Sequence, residues 1–232
     1  MGESAQKRIV RKLILERFLA TVKPHPTPKA SLEQYTTSEA AAATMLHLAA
    51  YTYGDIAGKS VLDLGCGTGR LSLGAAFLDA ESVVGIDVDK AAVKTAVENA
   101  NSSGLDADIN WVIGDIEAIT GKFDTVLQNP PFGVQKRQAD RRFLEKALEV
   151  GEAVYSLHNH PYTDKQLLSR LRGSSGMLQV EPSPFMIRFV EEHGGRVEAV
   201  YAMCLVIPHM FDFHTKARQE IVIDLYVLRR KD

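Results

Sequence analysis

The middle of the chain alternates between short apolar runs and longer segments in which apolar residues recur three and four positions apart. This alternation is typical of strands and amphipathic helices that follow one another in a parallel sheet covered on both faces. The predicted elements are, in chain order, the strand Ser60–Leu64, the helix Arg70–Leu78, the strand Val83–Ile86, the helix Ala91–Ser103, the strands Ile109–Ile113 and Phe123–Gln128, the helix Arg141–Glu152 and the strand Ala153–His158. The pattern therefore predicts an α/β fold.

Helical periodicity also marks the N-terminal part of the chain. Residues 5–21 place apolar side chains on one helix face, and the prolines between Pro24 and Pro28 prevent that helix from continuing. Thr36 and Glu39 then form a capping box, which predicts an alanine-rich helix that ends near Tyr53. We therefore expect a helical extension over residues 1–56 and the α/β domain over residues 57–232.

Two long apolar segments near the C-terminus predict a pair of strands. Arg196–Ile207 and Glu220–Leu228 are joined by a short link, so we expect them to pair in antiparallel fashion, after a helix over Pro184–His193. The preceding stretch, Pro161–Pro184, contains a Gly-Ser-Ser-Gly sequence and is predicted to be a surface excursion.

Composition limits the class of protein. Of the 232 residues, 45% are hydrophobic and 24% are charged, and the formal net charge is −2, which fits a soluble globular protein and excludes a mainly disordered one. No apolar run approaches the ~20 residues that span a bilayer. Two cysteines cannot build a disulfide framework, so we expect a reducing, cytoplasmic location. Residues 1–29 carry a net charge of +5, which indicates either an anionic partner or a solvated helix face.

The first strand of the α/β part runs into a glycine-rich turn, Gly65-Cys66-Gly67-Thr68-Gly69, and then into a helix. Glycines allow a ligand to approach backbone amides at a helix N-terminus, although a purely structural turn is the alternative. The spacing differs from the G-x-G-x-x-G of dinucleotide-binding dehydrogenases. Asp63 precedes the turn and is placed to balance a cationic ligand.

Acidic residues follow the next two strands. Asp87 ends the second strand about twenty residues beyond the glycines, where a carboxylate accepts both hydroxyls of a ribose. Asp89 is the better candidate for a helix cap because Lys90 begins the helix. Asp115 follows the third strand and is placed to accept from an adenine amino group, with Ile116 against the ring. These residues predict a nucleoside cleft at the carboxyl edge of the sheet.

The fourth strand ends in Asn129-Pro130-Pro131-Phe132, the most specific motif of the chain. The prolines fix their own φ and hold Asn129 extended, so that its amide oxygen and the Pro130 carbonyl can accept the hydrogens of a planar –NH2 group. Phe132 offers a face for base stacking, worth about 1–3 kcal/mol. Such an amine is a poor nucleophile, and two acceptors favour a pyramidal nitrogen aimed at an electrophilic methyl group. A strand-terminating turn with a core phenylalanine is the structural alternative.

The combination of LDLGCGTG, GIDVD, GD and NPPF resembles the S-adenosylmethionine-dependent methyltransferases that modify amino groups. LEQYTT before the fold, VYSLH at the fifth strand and FHTK before the last strand are more narrowly similar to the methyltransferase-like protein 5 family, over about residues 30–228. The resemblance implies a seven-stranded Rossmann-like class I sheet of order 3-2-1-4-5-7-6 with an antiparallel last strand. It also implies methyl transfer to the N6 amine of an adenosine in small-subunit ribosomal RNA.

The resemblance assigns roles to individual residues, and no metal site is expected. Asn129, Pro130, Pro131 and Phe132 would hold the target adenine. The residues that would contact S-adenosylmethionine are Gln34, Tyr35, Thr37, Asp63, Gly65, Cys66, Gly67, Asp87, Val88, Asp115, Ile116 and Asn129. His158 and His160 are expected to be strand-end and loop residues rather than a metal pair, because no third ligand is evident.

Ribosomal RNA and a protein are the implied partners, and no membrane contact is expected. An unpaired or bulged adenine is favoured because a stacked base would have to be flipped out. Phosphate contacts are expected from basic residues near the pocket, namely Lys136, Arg137, Arg141, Arg142, His214 and Lys216. The implied sheet order places Ile109–Ile113 at an edge, where a small zinc-binding activator subunit of the kind used in the family would add a strand.

Three other functions stay open at this point. A glutamine amide is also a planar –NH2 group, so N5-methylation of a glutamine in a translation release factor fits the same site. A nicotinamide-dependent oxidoreductase would need a pyrophosphate turn and a proton donor, neither of which is identifiable. A non-catalytic RNA-binding or ribosome-assembly module would have no affinity for S-adenosylmethionine.

Overall fold

A computed structural model describes residues 9–29, 37–105, 107–131, 139–161, 165–173, 176–208 and 218–231. The helices of this part are α1 (Lys12–Leu19), α2 (Glu39–Tyr51), α3 (Arg70–Phe77), α4 (Lys90–Ser103), α5 (Ala139–Val150), α6 (Lys165–Gly173) and α7 (Pro184–Glu192), with a short 3-10 helix at Ile116–Ala118. The strands are β1 (Ser60–Leu64), β2 (Ser82–Asp87), β3 (Ile109–Ile113), β4 (Phe123–Gln128), β5 (Gly151–Asn159), β6 (Met177–Gln179), β7 (Gly195–Pro208) and β8 (Arg218–Arg230). None of the described helices is long and apolar enough to cross a membrane.

Within the described residues the strands form one sheet in the order β3-β2-β1-β4-β5-β8-β7-β6. The first five strands of this order, β3, β2, β1, β4 and β5, pair in parallel, and β8, β7 and β6 continue the sheet by antiparallel pairing. The α/β prediction and the antiparallel pairing of the last two strands are confirmed. The predicted count of seven strands was wrong because Met177–Gln179 adds an eighth strand beside β7.

The segment predicted to be a surface excursion also contains α6. Leu167 and Leu171 of this helix pack with Ala202 of β7 and Val222 of β8 in a small apolar cluster. The three leucines of this helix do have helical spacing, but Gly173 at its end and the Gly-Ser-Ser-Gly sequence there indicated a loop. The segment therefore covers the C-terminal hairpin instead of projecting from it.

The start of α2 and the end of α5 differ from the predicted helix limits. The N-cap of α2 is Ser38, whose Oγ accepts from the Ala41 amide at 3.2 Å, and the predicted cap, Thr36, lies outside the described residues. Helix α5 ends at Val150 and β5 begins at the next residue, Gly151. A Cβ on Gly151 would lie 2.6 Å from Val126 Cγ2, so only glycine allows the helix to pass directly into the strand here.

The sheet separates two apolar layers. Successive side chains of a strand point to opposite faces, so Val61 enters the layer formed with α1, α2 and α3, while Leu62 enters the layer formed with α5 and α7. Because β1, β2, β3 and β4 are parallel, their carboxyl ends meet at one edge of this doubly covered sheet. The predicted ligand-binding residues follow these strand ends.

Candidate active site

The glycine-rich turn joins the end of β1 to the start of α3. Gly65, Gly67 and Gly69 have φ values of 73°, 54° and 85°, which residues with a side chain rarely adopt. A Cβ on Gly69 would lie 2.6 Å from Trp111 Cη2, whereas a Cβ on Gly67 would have no neighbour within 4 Å in the part of the chain that the structure describes. The turn thus packs tightly on β3 at one end and faces open space at Gly67, as a backbone that receives a ligand must.

Cys66 lies inside this turn and is buried. Burial raises the pKa of its thiol well above the usual range, and the negative charges of Asp63 and Asp87 add to the increase. Because the thiolate is the reactive form, a thiol with a raised pKa is a poor nucleophile. Cys66 is therefore a small packing residue of the turn.

Asp87, the last residue of β2, binds the glycine turn through its carboxylate. Its Oδ2 accepts from the Gly67 amide at 2.9 Å, and its Oδ1 accepts from the Asp89 amide at 2.8 Å. Burial raises the pKa of Asp87, and the two amide hydrogen bonds oppose that increase. Asp89 accepts from the Ala91 amide at 2.9 Å, which confirms it as the cap of α4.

Asp63 is almost completely buried beside the first turns of α3. Its Oδ2 accepts from the Ser72 amide at 2.9 Å and from the Ser72 hydroxyl at 2.6 Å. Burial raises the pKa of Asp63 to about 7; the charge of Asp87 adds to the increase, and the Ser72 hydrogen bonds oppose it. Near neutral pH this carboxyl is therefore close to half-ionised, and its role toward a cationic ligand stays a prediction.

The residues predicted to surround the adenine of the cofactor follow β2 and β3. Val88 is 59% exposed, whereas Ile116 is buried in the 3-10 helix. Asp115 Oδ1 accepts from the Glu117 amide at 3.0 Å and from the Arg142 guanidinium, which also binds Glu117. Arg142 was predicted to contact phosphate, and in the structure it is paired with these two carboxylates instead.

Asn129 directly follows β4, next to the glycine turn. The register pairs Leu64 with Gln128, so the turn and Asn129 leave adjacent parallel strands at the same level. Asn129 Nδ2 donates to Thr37 Oγ1 at 2.8 Å, while Asn129 Oδ1 is buried and has no hydrogen-bond partner among the described residues. Pro130 is buried and Pro131 is half-buried. The structure thus brings Thr37, Asn129 and the turn together, with one amide oxygen unsatisfied.

The histidines predicted to lie at the end of β5 have partners within the protein. Ser156 Oγ lies 2.7 Å from His158 Nε2 and accepts from Gln128 Nε2 at 2.9 Å. Burial lowers the pKa of His158 to about 4. His160 Nδ1 lies 2.8 Å from an Asp224 carboxylate oxygen. Over the described ranges, no group of three His, Cys, Asp or Glu side chains could hold a metal ion.

Several predicted site residues lie outside the described residues, namely Gln34, Tyr35, Phe132, Lys136, Arg137, His214 and Lys216. Arg141 is described, and its guanidinium carbon lies 4.7 Å from the ring centre of Phe185 in α7. Sequence reasoning missed Phe185 as well as Arg70, which binds the residues before α2. Arg70 directly follows the glycine turn, but nothing local indicates a partner 33 residues upstream.

Known proteins share the sequence and the fold of this chain. The family described as Methyltransferase small domain matches residues 36–164. The zebrafish (Danio rerio) rRNA N(6)-adenosine-methyltransferase METTL5 is 35% identical over 216 residues, which cover 90% of this chain and 94% of the relative. A Pyrococcus horikoshii crystal structure, described as a candidate RNA methyltransferase, is 36% identical with a TM-score of 0.79 and covers 97% of this chain and 100% of that one. A Methanocaldococcus jannaschii protein named as a candidate N5-glutamine methyltransferase is 42% identical over only 79 residues, 34% of this chain.

The parallel sheet, the glycine turn and the acidic strand ends define an S-adenosylmethionine-dependent methyltransferase with the Rossmann-like fold. The similarity to METTL5 covers 90% of this chain and so extends well beyond the cofactor motifs. The chain belongs to the Methyltransferase small domain family and, within it, to the methyltransferase-like protein 5 family.

Proposed function

We propose that this chain transfers the methyl group of S-adenosylmethionine to the N6 amine of an adenosine in small-subunit ribosomal RNA. The observation that carries the proposal is the buried, unpartnered amide oxygen of Asn129. Leaving such an acceptor unsatisfied costs about 1–3 kcal/mol, so a donor that reaches it is favoured. The similarity to METTL5, a relative named as an rRNA N6-adenosine methyltransferase, supports adenosine as the source of that donor.

The residues at the sheet edge fit the cofactor. The open space at Gly67 would admit its methionine part, and Asp87 would accept from the ribose hydroxyls. Val88 and Ile116 would lie on either side of the adenine ring, with Asp115 at its amino group. S-adenosylmethionine supplies a methyl group bonded to a positively charged sulfur, which makes that methyl electrophilic.

The contribution of this chain at the target nitrogen is orientation. Asn129 Oδ1 and the Pro130 carbonyl accept the two amine hydrogens, which draws the nitrogen lone pair out of conjugation with the ring. Phe132 stacks on the target base, at a gain of about 1–3 kcal/mol. No base is needed in advance, since the nitrogen releases its proton readily once it is alkylated.

RNA contacts extend from this pocket over basic residues, which supply affinity without sequence preference. They are Lys136, Arg137, Arg141, His214 and Lys216. Arg141 is half-buried against Phe185, which is itself 42% exposed, so a cation and an aromatic face are offered together. An unpaired or bulged adenine is the expected target because flipping a paired base costs a few kcal/mol.

A small zinc-binding activator subunit is part of the proposal, and it would add a strand to β3. This strand ends the described sheet order, and Ile113 leaves 54% of its surface exposed. An edge strand offers unpaired N–H and C=O groups, which an added strand would satisfy. If the purified chain alone is stable, monodisperse and fully active, the activator is not required and this part of the proposal is wrong.

Glutamine N5-methylation of a release factor is the second candidate, because the same acceptors suit a primary amide. The M. jannaschii relative that favours it matches only a third of this chain, so its support is confined to the methyltransferase motifs. A non-catalytic RNA-binding module would leave the Asn129 acceptor without use. Thermal stabilisation by S-adenosylmethionine would argue against that module.

The test is incubation with S-adenosylmethionine labelled in its methyl group, with unmodified small-subunit ribosomal RNA or with a release factor as substrate. We expect label in N6-methyladenosine from the RNA; label on a glutamine would support the rival reaction. Asn129→Ala should keep its affinity for S-adenosylmethionine and lose about 100-fold in turnover, the scale of losing one oriented polar group. Asn101→Ala, an exposed position on α4, is the matched control. Unchanged turnover in Asn129→Ala would contradict the proposal.

A further inference from the structure

The amide of Asn129 is held in one of its two possible orientations. A carboxamide has a donor end and an acceptor end, and only the acceptor end can receive a hydrogen from a substrate amine. Thr37 Oγ1 accepts from the donor end at 2.8 Å, and the acceptor end lies buried with no partner over the described ranges. The hydroxyl of Thr37 thus binds the NH2 end of the Asn129 amide, which would repel the hydrogens of a substrate amine.

The position of Thr37 is fixed in turn by Arg70. This guanidinium donates from Nη1 to the Thr37 carbonyl and from Nη2 to the Val22 carbonyl at 3.2 Å, and Nη1 lies 3.7 Å from Glu39 Oε2. Its side chain is only 11% exposed. Arginine presents several N–H groups in a planar fork, so one side chain can bind two carbonyls at once, which the point charge of a lysine does less well.

Arg70 is the first residue of α3 and directly follows the glycine turn. Val22 lies just beyond α1, and Thr37 lies just before the cap of α2. One guanidinium therefore connects the glycine turn with both ends of the stretch between α1 and α2. Thr37 continues this connection to Asn129, so the N-terminal helices and the end of β4 share one polar network.

We infer that Thr37 is a positioning residue for methyl transfer, which turns the Asn129 oxygen toward the target amine, and that Arg70 holds Thr37 in place. The inference rests on the proposed function. It differs from the cofactor contact that the family resemblance implies for Thr37. A positioning residue acts on kcat, whereas a cofactor contact acts on the KM and Kd for S-adenosylmethionine.

Three threonine variants separate these roles. Thr37→Val keeps the shape and removes the hydroxyl, and we expect kcat to fall about tenfold, the worth of one hydrogen bond, with the KM for S-adenosylmethionine within about twofold of wild type. Thr37→Ser keeps the hydroxyl and should restore most of kcat. Thr44→Val is the matched control on α2, because it also removes a bonded hydroxyl, which donates to the Ala40 carbonyl and accepts from Lys12 Nζ at 3.2 Å. Arg70→Lys should resemble Thr37→Val.

A second readout does not depend on activity. The side-chain NH2 signals of Asn129, assigned by their loss in Asn129→Ala, should shift and exchange faster with water in Thr37→Val but not in Thr44→Val. If wild type methylates neither RNA nor a release factor, the proposed function fails while this spectroscopic test still applies. Unmoved NH2 signals, an unchanged kcat, or a raised KM for S-adenosylmethionine at full kcat would each overturn the inference.

Discussion

Replacing Asp63 by asparagine removes a buried charge while keeping the shape of the side chain. The Asp63 carboxylate is 1% exposed and accepts two hydrogen bonds from Ser72 through one oxygen. An asparagine amide oxygen can accept the same two bonds. The NH2 group of the asparagine replaces the second carboxylate oxygen, and the energetic effect of this exchange does not depend on pH. It therefore adds only a constant offset to the free energy of unfolding.

The pH dependence follows from the direction of the pKa change. Burial raises the pKa of Asp63 from 3.8 to about 7, so between about pH 4 and pH 7 the folded protein holds a proton that the unfolded chain has released. Asp63 therefore makes the folded state less stable as the pH rises through this window, by about 1.4 kcal/mol per pH unit. Above pH 7 its contribution is constant. Asp63→Asn lacks this contribution, so the variant should gain up to about 4 kcal/mol relative to wild type across the window.

Urea unfolding of wild type and Asp63→Asn at half-unit steps from pH 4.5 to 8.5 measures the difference. The quantity to compare is the change in free energy of unfolding between the two proteins at each pH, because every other titrating group cancels to first order. We expect the difference to move in favour of the variant as the pH rises, and to level off near pH 7. A difference that does not change with pH would show that Asp63 ionises normally and would refute the argument from burial.

Two further predictions concern the glycine turn and a buried histidine. Gly69→Ala should lower the free energy of unfolding by about 2–4 kcal/mol, more than Gly104→Ala, since both positions have positive φ but only the first would press its Cβ on Trp111; equal losses in thermal denaturation would contradict this. Burial lowers the pKa of His158 to about 4, so its contribution to stability is lost as the pH falls from about 6.5 to 4. His158→Gln should lose less stability than wild type over this pH range. An equal loss would mean that His158 takes up its proton in the folded protein without an energetic penalty.

Local chemistry was enough to predict the strand ends and one cap. Asp87 was located because an acid that ends a strand beyond a glycine turn has few structural uses, and Asp89 because it directly precedes a helix. The capping-box spacing predicted Thr36 as the cap of α2, whereas Ser38 caps this helix in the structure. Arg70, which donates to the Thr37 carbonyl, is a contact near this cap that the local sequence does not show.

Long-range contacts account for most of what the sequence did not predict. Nothing near Ser72 in the sequence marks its pairing with Asp63, and the apolar spacing of α6 does not identify Ala202 as its contact. Such elements gain their stability from neighbours that are distant in sequence. Periodicity measures only the local part of that stability.

The N-terminal helices belong physically to the catalytic core. A Cβ on Gly74 of α3 would lie 2.2 Å from Leu46 Cδ1 of α2, so the two helices approach so closely that no larger residue fits between them. Asn99 of α4 adds a second tie, since it exchanges hydrogen bonds with the backbone of Lys23 and donates to the Thr68 carbonyl of the glycine turn. Removing these helices would expose the apolar layer behind β1 and release the turn at two points. A chain that began at the predicted boundary after residue 56 would keep the glycine turn and the cofactor motifs that follow it. It would still lose the N-terminal contacts that hold the turn in place.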